Sequence, residues 1–152
     1  MFKSLESDWE LTREFLNLET NTKDFATGNA LFTKLNKIDQ NLLSYEESGT
    51  LTLTDNSTKI NFNRKYIYEL KDNKINIILN DGINKGQLFQ TLIPTDNGCS
   101  FVGTEHICIN DKYNGKYIFI NKNEFSIEII KKGPRSNLRI MTRFNRRNRK
   151  KD

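Results

Sequence analysis

Along this chain apolar and polar residues alternate with a period of two, and clusters of turn residues separate the alternating runs. That is the pattern of strands with one face covered and one face wet. From Trp9 to Leu16 the odd positions are Trp9, Leu11, Arg13 and Phe15, against Asp8, Glu10, Thr12 and Glu14. Arg13 therefore shares a face with the aromatics. Residues 17–27 read as polar and turn-like, and Gly28–Leu35 as the next strand, with Ala30 and Phe32 packing. Leu42–Glu47 and Gly49–Thr54 alternate as a pair, putting Tyr45 and Glu47 on one face. The longest alternation is Ile60–Leu70, where Ile60, Phe62, Arg64, Tyr66, Tyr68 and Leu70 line one side. Lys74–Asn80 lies between the hairpin cues Asp72-Asn73 and Asp81-Gly82. Gly86–Ile93 follows and stops at Pro94. Phe101–Ile109 alternates on both faces, leaving its inner side open, and Tyr113–Ile120, Glu124–Lys131 and Asn137–Phe144 complete the series. Phe2–Ser7 suggests a short helical plug at one end, and no long helix is evident.

About ten short strands joined by tight turns predict a sandwich or an up-and-down barrel. The barrel is the better fit, because sequential hairpins close most simply into a meander and closure removes the exposed edges. Faces that mix polar and aromatic residues suit a wall with a lumen. The expectation is an all-β chain, a single antiparallel β-barrel over residues 1–145 with a basic tail at 146–152.

At 152 residues the chain can bury a core without metals or disulfides. The net charge of +5 invites a nucleic-acid partner, but its distribution argues against one. Six of the 24 basic residues and one of the 19 acidic fall in Arg143–Asp152, so the rest carries 18 of each. The excess is a terminal run, read as a solvated tail, with RNA or an anionic membrane as its alternative contacts. No apolar window suits a signal peptide or a membrane span, so a cytoplasmic protein is expected, with Cys99 and Cys108 reduced. Their spacing suits neither a metal nor a redox pair.

Several stretches together resemble the family catalogued as domain of unknown function 6314. They are Trp9-Glu-Leu-Thr-Arg13, Gly28-Asn-Ala-Leu-Phe32, Tyr45-Glu-Glu-Ser-Gly49, Arg64-Lys-Tyr66-Ile-Tyr68, Gly133-Pro134 and Thr142-Arg-Phe144-Asn-Arg146. The specific element is His106-Ile-Cys108-Ile-Asn-Asp111-Lys-Tyr113, with Tyr117 and Phe119 beyond it. The resemblance runs from Trp9 to Arg146 and implies a calycin or lipocalin-like barrel without an assigned activity. Where the family places a Phe-His pair this chain has Phe89-Gln90, so a mechanism with a second histidine is not expected. The family's Lys-Lys-Asp-Tyr after Gly133-Pro134 is Arg135-Ser-Asn-Leu138 here.

Two clusters carry candidate chemistry. Arg13 and Arg64, if inward, need partners, since an uncompensated buried charge costs several kcal/mol. Glu47 is the partner their faces offer. Either this is an internal network that fixes register, or the guanidinium forks bind a carboxylate or phosphate. The second cluster is His106, the chain's one histidine, with Asp111 and Tyr113. It reads as a hydrogen-bonded structural histidine, as a general base oriented by Asp111, or as a lone haem ligand. Cys108 reads as a packing residue or as a thiolate beside His106. Zinc lacks a third ligand. Tyr45, Tyr66, Tyr68, Tyr113 and Tyr117 are strand formers whose hydroxyls would also suit a planar, partly polar molecule.

The leading expectation is a barrel binding a small apolar or aromatic ligand with an anionic end. Arg13, Tyr45, Glu47, Arg64, Tyr66, Cys108 and Tyr117 would face the ligand, with His106 near the mouth. An acid-base enzyme, isomerase or hydrolase-like, using His106, Asp111 and Tyr113 is the alternative. A nucleic-acid accessory protein working through the tail is the third. The sequence specifies no cofactor, metal site or oligomeric state.

Overall fold

The computed structural model describes residues 2–95, 99–104 and 110–147, and residues 106–108 by their backbone. A 3-10 turn, Phe2–Leu5, precedes the strands β1 (Asp8–Asn17), β2 (Lys23–Lys34), β3 (Leu42–Thr52), β4 (Lys59–Lys71), β5 (Lys74–Leu79) and β6 (Leu88–Pro94). There follow β7 (Ser100–Gly103), β8 (His106–Cys108), β9 (Asp111–Asn121), β10 (Glu124–Lys132) and β11 (Asn137–Arg146). Every pairing is antiparallel, β1 joins β11, and β10 joins both β9 and β11, so the sheet closes. β7 and β8 lie end to end along β9, so ten staves make the ring, an up-and-down barrel.

Closure sorts the side chains. On β1 Trp9 and Leu11 are buried while Glu10 and Thr12 are exposed; on β3 Leu43, Tyr45 and Glu47 are buried. The Asp72-Asn73 cue is a two-residue hairpin, with φ of 52° and 63° at its two positions. This is the positive-φ pair that matches the twist of the strands it joins.

Three segments depart from the expected pattern. Only residues 18–22 form the first turn, since β2 begins at Lys23 and pairs with β1 from Leu16 onward. Over its first part the inner face of β2 is Ala26, Gly28 and Ala30, too small to give a strong hydrophobic signature before the bulky Phe32. Leu42–Glu47 and Gly49–Thr54 are one strand, not two. Gly49 sits opposite Gly28 in the ladder, and a methyl on Gly28 would run into the Ser48 carbonyl oxygen. Gly49 thus marks close backbone approach, not a break. Phe101–Ile109 is instead interrupted. β7 sets Val102 opposite Lys116, which continued unbroken would set His106 opposite Lys112, but β8 sets His106 opposite Tyr113. The register slips by one residue between them.

One end of the barrel is filled. Phe2 and Leu5 plug it, and the Trp9 indole N–H donates to the Leu5 carbonyl at 2.9 Å. Phe125 stacks on Phe144 at 4.3 Å and meets Trp9 edge-on at 4.8 Å. The Arg146 guanidinium lies 4.5 Å from the Trp9 ring and donates to the Ser4 and Lys122 carbonyls, each at 2.6 Å. β11 therefore ends as a clamp on the plug, at the end of the barrel away from the mouth.

Candidate functional site

The inner wall is organised by a salt bridge between residues on strands that are not neighbours. Arg13 stands on β1 and Glu47 on β3, with β2 between them. The guanidinium spans that gap because β2 presents only Ala26, Gly28 and Ala30 there, and both alanines are 2% exposed. Its two terminal nitrogens donate to the two Glu47 oxygens at 2.7 and 3.1 Å, and its Nε donates to the Thr142 hydroxyl at 2.8 Å. The Tyr45 hydroxyl donates to the same carboxylate at 2.8 Å. Glu47 is only 4% exposed, so this bidentate pair with its third donor meets the condition for keeping a carboxylate out of water. Thr142 carried no motif of its own as a site residue. It enters because it lies directly opposite Arg13 in the β1–β11 ladder.

Above this pair the lumen opens into a cavity of about 410 Å³, within the range of small-molecule sites. One wall is polar and aromatic, from Arg13, Tyr45, Glu47, Phe62, Arg64 and Tyr66. The other is apolar, from Phe15, Ile127, Ile129 and Ile140, and Tyr68, Ile77, Phe89 and Tyr117 lie between. Tyr66 stands in a row of rings, 5.8 Å from Tyr45 and 5.9 Å from Phe89. Arg13 also lies 5.7 Å from the Phe62 ring.

Arg64 faces Glu47 directly across the β3–β4 ladder. The Glu47 oxygens are held by Arg13 and Tyr45, and Arg64 borders the cavity in an exposed position, without an ion pair among the described residues. Burial pushes up the hydroxyls of Tyr45, Tyr66 and Tyr68, those of Tyr45 and Tyr68 well above the usual phenol range. For Tyr66 the nearby Arg64 and Arg13 charges act the opposite way. Near neutral pH these phenols are donors, not anions.

The second cluster is only partly in view. The backbone ladder pairs His106 with Tyr113 and Cys108 with Asp111. The side chains of His106 and Cys108 lie outside the described residues. The Asp111 carboxylate lies 3.7 Å from the Lys131 ammonium, which in turn is 5.8 Å from the Tyr113 ring. Gly133 packs against the same carboxylate, so Asp111 is engaged on β10 and the turn after it. Tyr113 borders the cavity. Cys99 is exposed and is not in a disulfide. No helix among the described residues is long and apolar enough to cross a membrane.

A family model described as "Family of unknown function (DUF6314)" matches residues 5–146. No curated protein matches the sequence. Among solved structures the chain is similar to the S-type phycobiliprotein lyase CpeS from Guillardia theta. The identity is 13%, the TM-score 0.73, and the match covers 98% of this chain and 92% of that one. It is also similar to Rv2717c from M. tuberculosis, at 8% identity and a TM-score of 0.61, over 95% and 94% of the two chains. A DUF3598 protein of unknown function from Nostoc punctiforme matches at 9% identity and a TM-score of 0.64. The match takes in 97% of this chain and 49% of that one, so this barrel spans about half its length. At these identities the likeness concerns the fold.

Proposed function

The chain belongs to the family of unknown function DUF6314, and from that premise and the chemistry of the cavity we propose that it is a cytoplasmic small-ligand-binding barrel. Its ligand is apolar or aromatic and carries an anionic end, received by Arg64, Tyr66 and the remaining N–H groups of Arg13. The observation that carries this reading is the charge count on one wall, two guanidinium groups facing a single carboxylate. Arg13 and Glu47 cancel. Arg64 leaves one positive charge at the cavity's edge. A guanidinium has five N–H donors, of which Arg13 gives three to Thr142 and Glu47. Two remain for a ligand, and the row Tyr45, Tyr66, Phe89 offers a flat surface for a ring.

Native mass spectrometry of the protein purified from its own cells is expected to find a small anionic molecule retained in Arg64-competent protein. With biphenyl-4-carboxylate as a probe, Arg64→Gln is expected to weaken binding by up to about fivefold, since Arg64 is exposed and screened. Neutral biphenyl is expected to bind both forms alike. His106→Ala is expected to leave probe binding unchanged, which separates this reading from the acid-base enzyme. Equal loss of the charged and neutral probes in Arg64→Gln would overturn it.

A further inference from the structure

A bulge in β6 turns two neighbouring residues into the barrel. Ile77 on β5 faces Gln90, but Ile78 faces Leu88, so Phe89 is an extra residue in β6. Phe89 lines the cavity, and so does Ile77, whose ladder partner Gln90 therefore lies on the inner face as well. The Gln90 side chain, 2% exposed, fills a slot left by two glycines. A methyl on Gly103 of β7 would stand 2.6 Å from its Nε2, and one on Gly115 of β9 would stand 3.4 Å from both its Nε2 and its Oε1. On that face of β9 Gly115 is flanked by Tyr113 and Tyr117, which both border the cavity. The amide thus sits just behind the cavity lining, framed by Ile77, Phe89, Tyr113 and Tyr117.

Only half of that amide is used. Nε2 donates to the Thr104 carbonyl at 3.0 Å, and turning the amide over would set oxygen against oxygen, so its orientation is fixed. Oε1 is buried without a hydrogen-bond partner, and among the described residues it is the one buried side-chain polar atom in that state. The Glu47 carboxylate, buried on the same barrel's inner wall, has by contrast all three of its donors supplied. A buried acceptor left open costs stability unless a guest brings the hydrogen. Because a carbonyl oxygen only accepts, it selects an N–H or O–H group and disfavours another carbonyl or a carboxylate.

We infer that Gln90 Oε1 is a second recognition point of the cavity and takes an uncharged N–H or O–H donor, such as an aniline, a phenol or a ring N–H, at the inner end of the ligand. The inference rests on the small-ligand reading above and adds the ligand's other end. Tyr68, Ile77 and Gln90 form one row across β4, β5 and β6, and Arg64 precedes Tyr68 on β4 by four residues, which sets it about 13 Å nearer the mouth along the strand. The ligand class is thus an elongated aromatic molecule with an anion at the mouth and a neutral donor at its deep end. The rings of Tyr66 and Phe89 flank its middle.

The test uses two probes of matched shape, 4′-aminobiphenyl-4-carboxylate and 4′-methylbiphenyl-4-carboxylate, titrated calorimetrically into the wild type and Gln90→Met. Amino and methyl groups are close in size, and only the amine donates. The amino probe is expected to bind the wild type roughly tenfold tighter, the worth of one uncharged hydrogen bond to a buried acceptor. In Gln90→Met, which keeps the length of the side chain without its carbonyl, that advantage is expected to vanish while the methyl probe changes less than about twofold. Thermal unfolding checks that the variant barrel is intact, and a readout in the wild type is independent of it. With the side-chain carbonyls of the three glutamines carbon-13 labelled, one resonance is expected to move with the amino probe and not with the methyl probe. Equal binding of the two probes to the wild type overturns the assignment, as does an amino advantage that survives in Gln90→Met or a set of carbonyl resonances that answers both probes alike. If the methyl probe binds and responds to Arg64→Gln but the amino group adds nothing, only this inference falls. If neither probe binds, the small-ligand reading falls and takes this one with it.

Discussion

Replacing Glu47 with glutamine keeps the side chain's shape and removes the charge on which the inner wall is balanced. In the native barrel the carboxylate accepts three hydrogen bonds, at 2.7 and 3.1 Å from Arg13 and at 2.8 Å from Tyr45. A glutamine amide turns one acceptor into a donor that faces the guanidinium, and leaves Arg13 as an uncompensated cation. Breaking a buried pair from one side typically costs about 3–5 kcal/mol. Arg13 keeps 16% of its side-chain surface exposed towards the cavity, so water can partly solvate it, and the lower end, about 3 kcal/mol, is expected. Urea unfolding followed by the fluorescence of Trp9, the single tryptophan and 2% exposed, would report it. With a slope of about 2 kcal/mol/M the midpoint should fall by about 1.5 M at unchanged slope. The double variant Arg13→Met/Glu47→Leu should return to within about 1 kcal/mol of the wild type, because the apolar pair strands no charge. A Glu47→Gln cost below about 1 kcal/mol, or a double variant at least as damaged as the single, would refute the argument that the pair is a closed electrostatic unit.

Gly28→Ala should cost about 3 kcal/mol or more in the same assay, because the added methyl meets the Ser48 carbonyl oxygen and backbone must move; a neutral result would contradict the close approach of β2 and β3. Arg146→Ala should cost about 1–2 kcal/mol by releasing Trp9 and the Ser4 carbonyl, read as a lower thermal midpoint, with probe binding unchanged because the clamp is at the closed end. At alkaline pH the buried phenols set the sign: unfolded tyrosine ionises near pH 10, while Tyr45 and Tyr68 are held protonated well above it. Their contribution is present in full below about pH 10 and is lost as the pH rises through their folded values, by up to about 1.4 kcal/mol per unit for each group, and Tyr68→Phe should flatten the decline. Removing residues 148–152 should leave the stability of the barrel unchanged, and a salt series of nucleic-acid binding that did not differ between the two forms would discard the tail as a polyanion site.

The alternation along the chain was enough to reach an antiparallel barrel, and to turn Arg13, Glu47, Tyr45 and Tyr66 to one side. A period of two is a local property, set by the pleat, and it survives in any sequence that must cover one face of each strand. The hairpin at Asp72-Asn73 was readable for the same reason, since its two backbone conformations belong to its own two residues.

What the alternation does not carry is azimuth and depth, which depend on pairings between residues far apart. That Arg13 bonds Thr142, 129 positions away, follows only from closure of β1 on β11. That it reaches past β2 to Glu47 depends on small side chains lying in the path between them, a feature with no hydrophobic signature. Gly49 read as a boundary because glycine often ends strands; only its placement opposite Gly28 showed a contact made possible by the absent side chains. The slip between β7 and β8 was hidden because both faces of that segment alternate, and a one-residue bulge leaves no mark on composition.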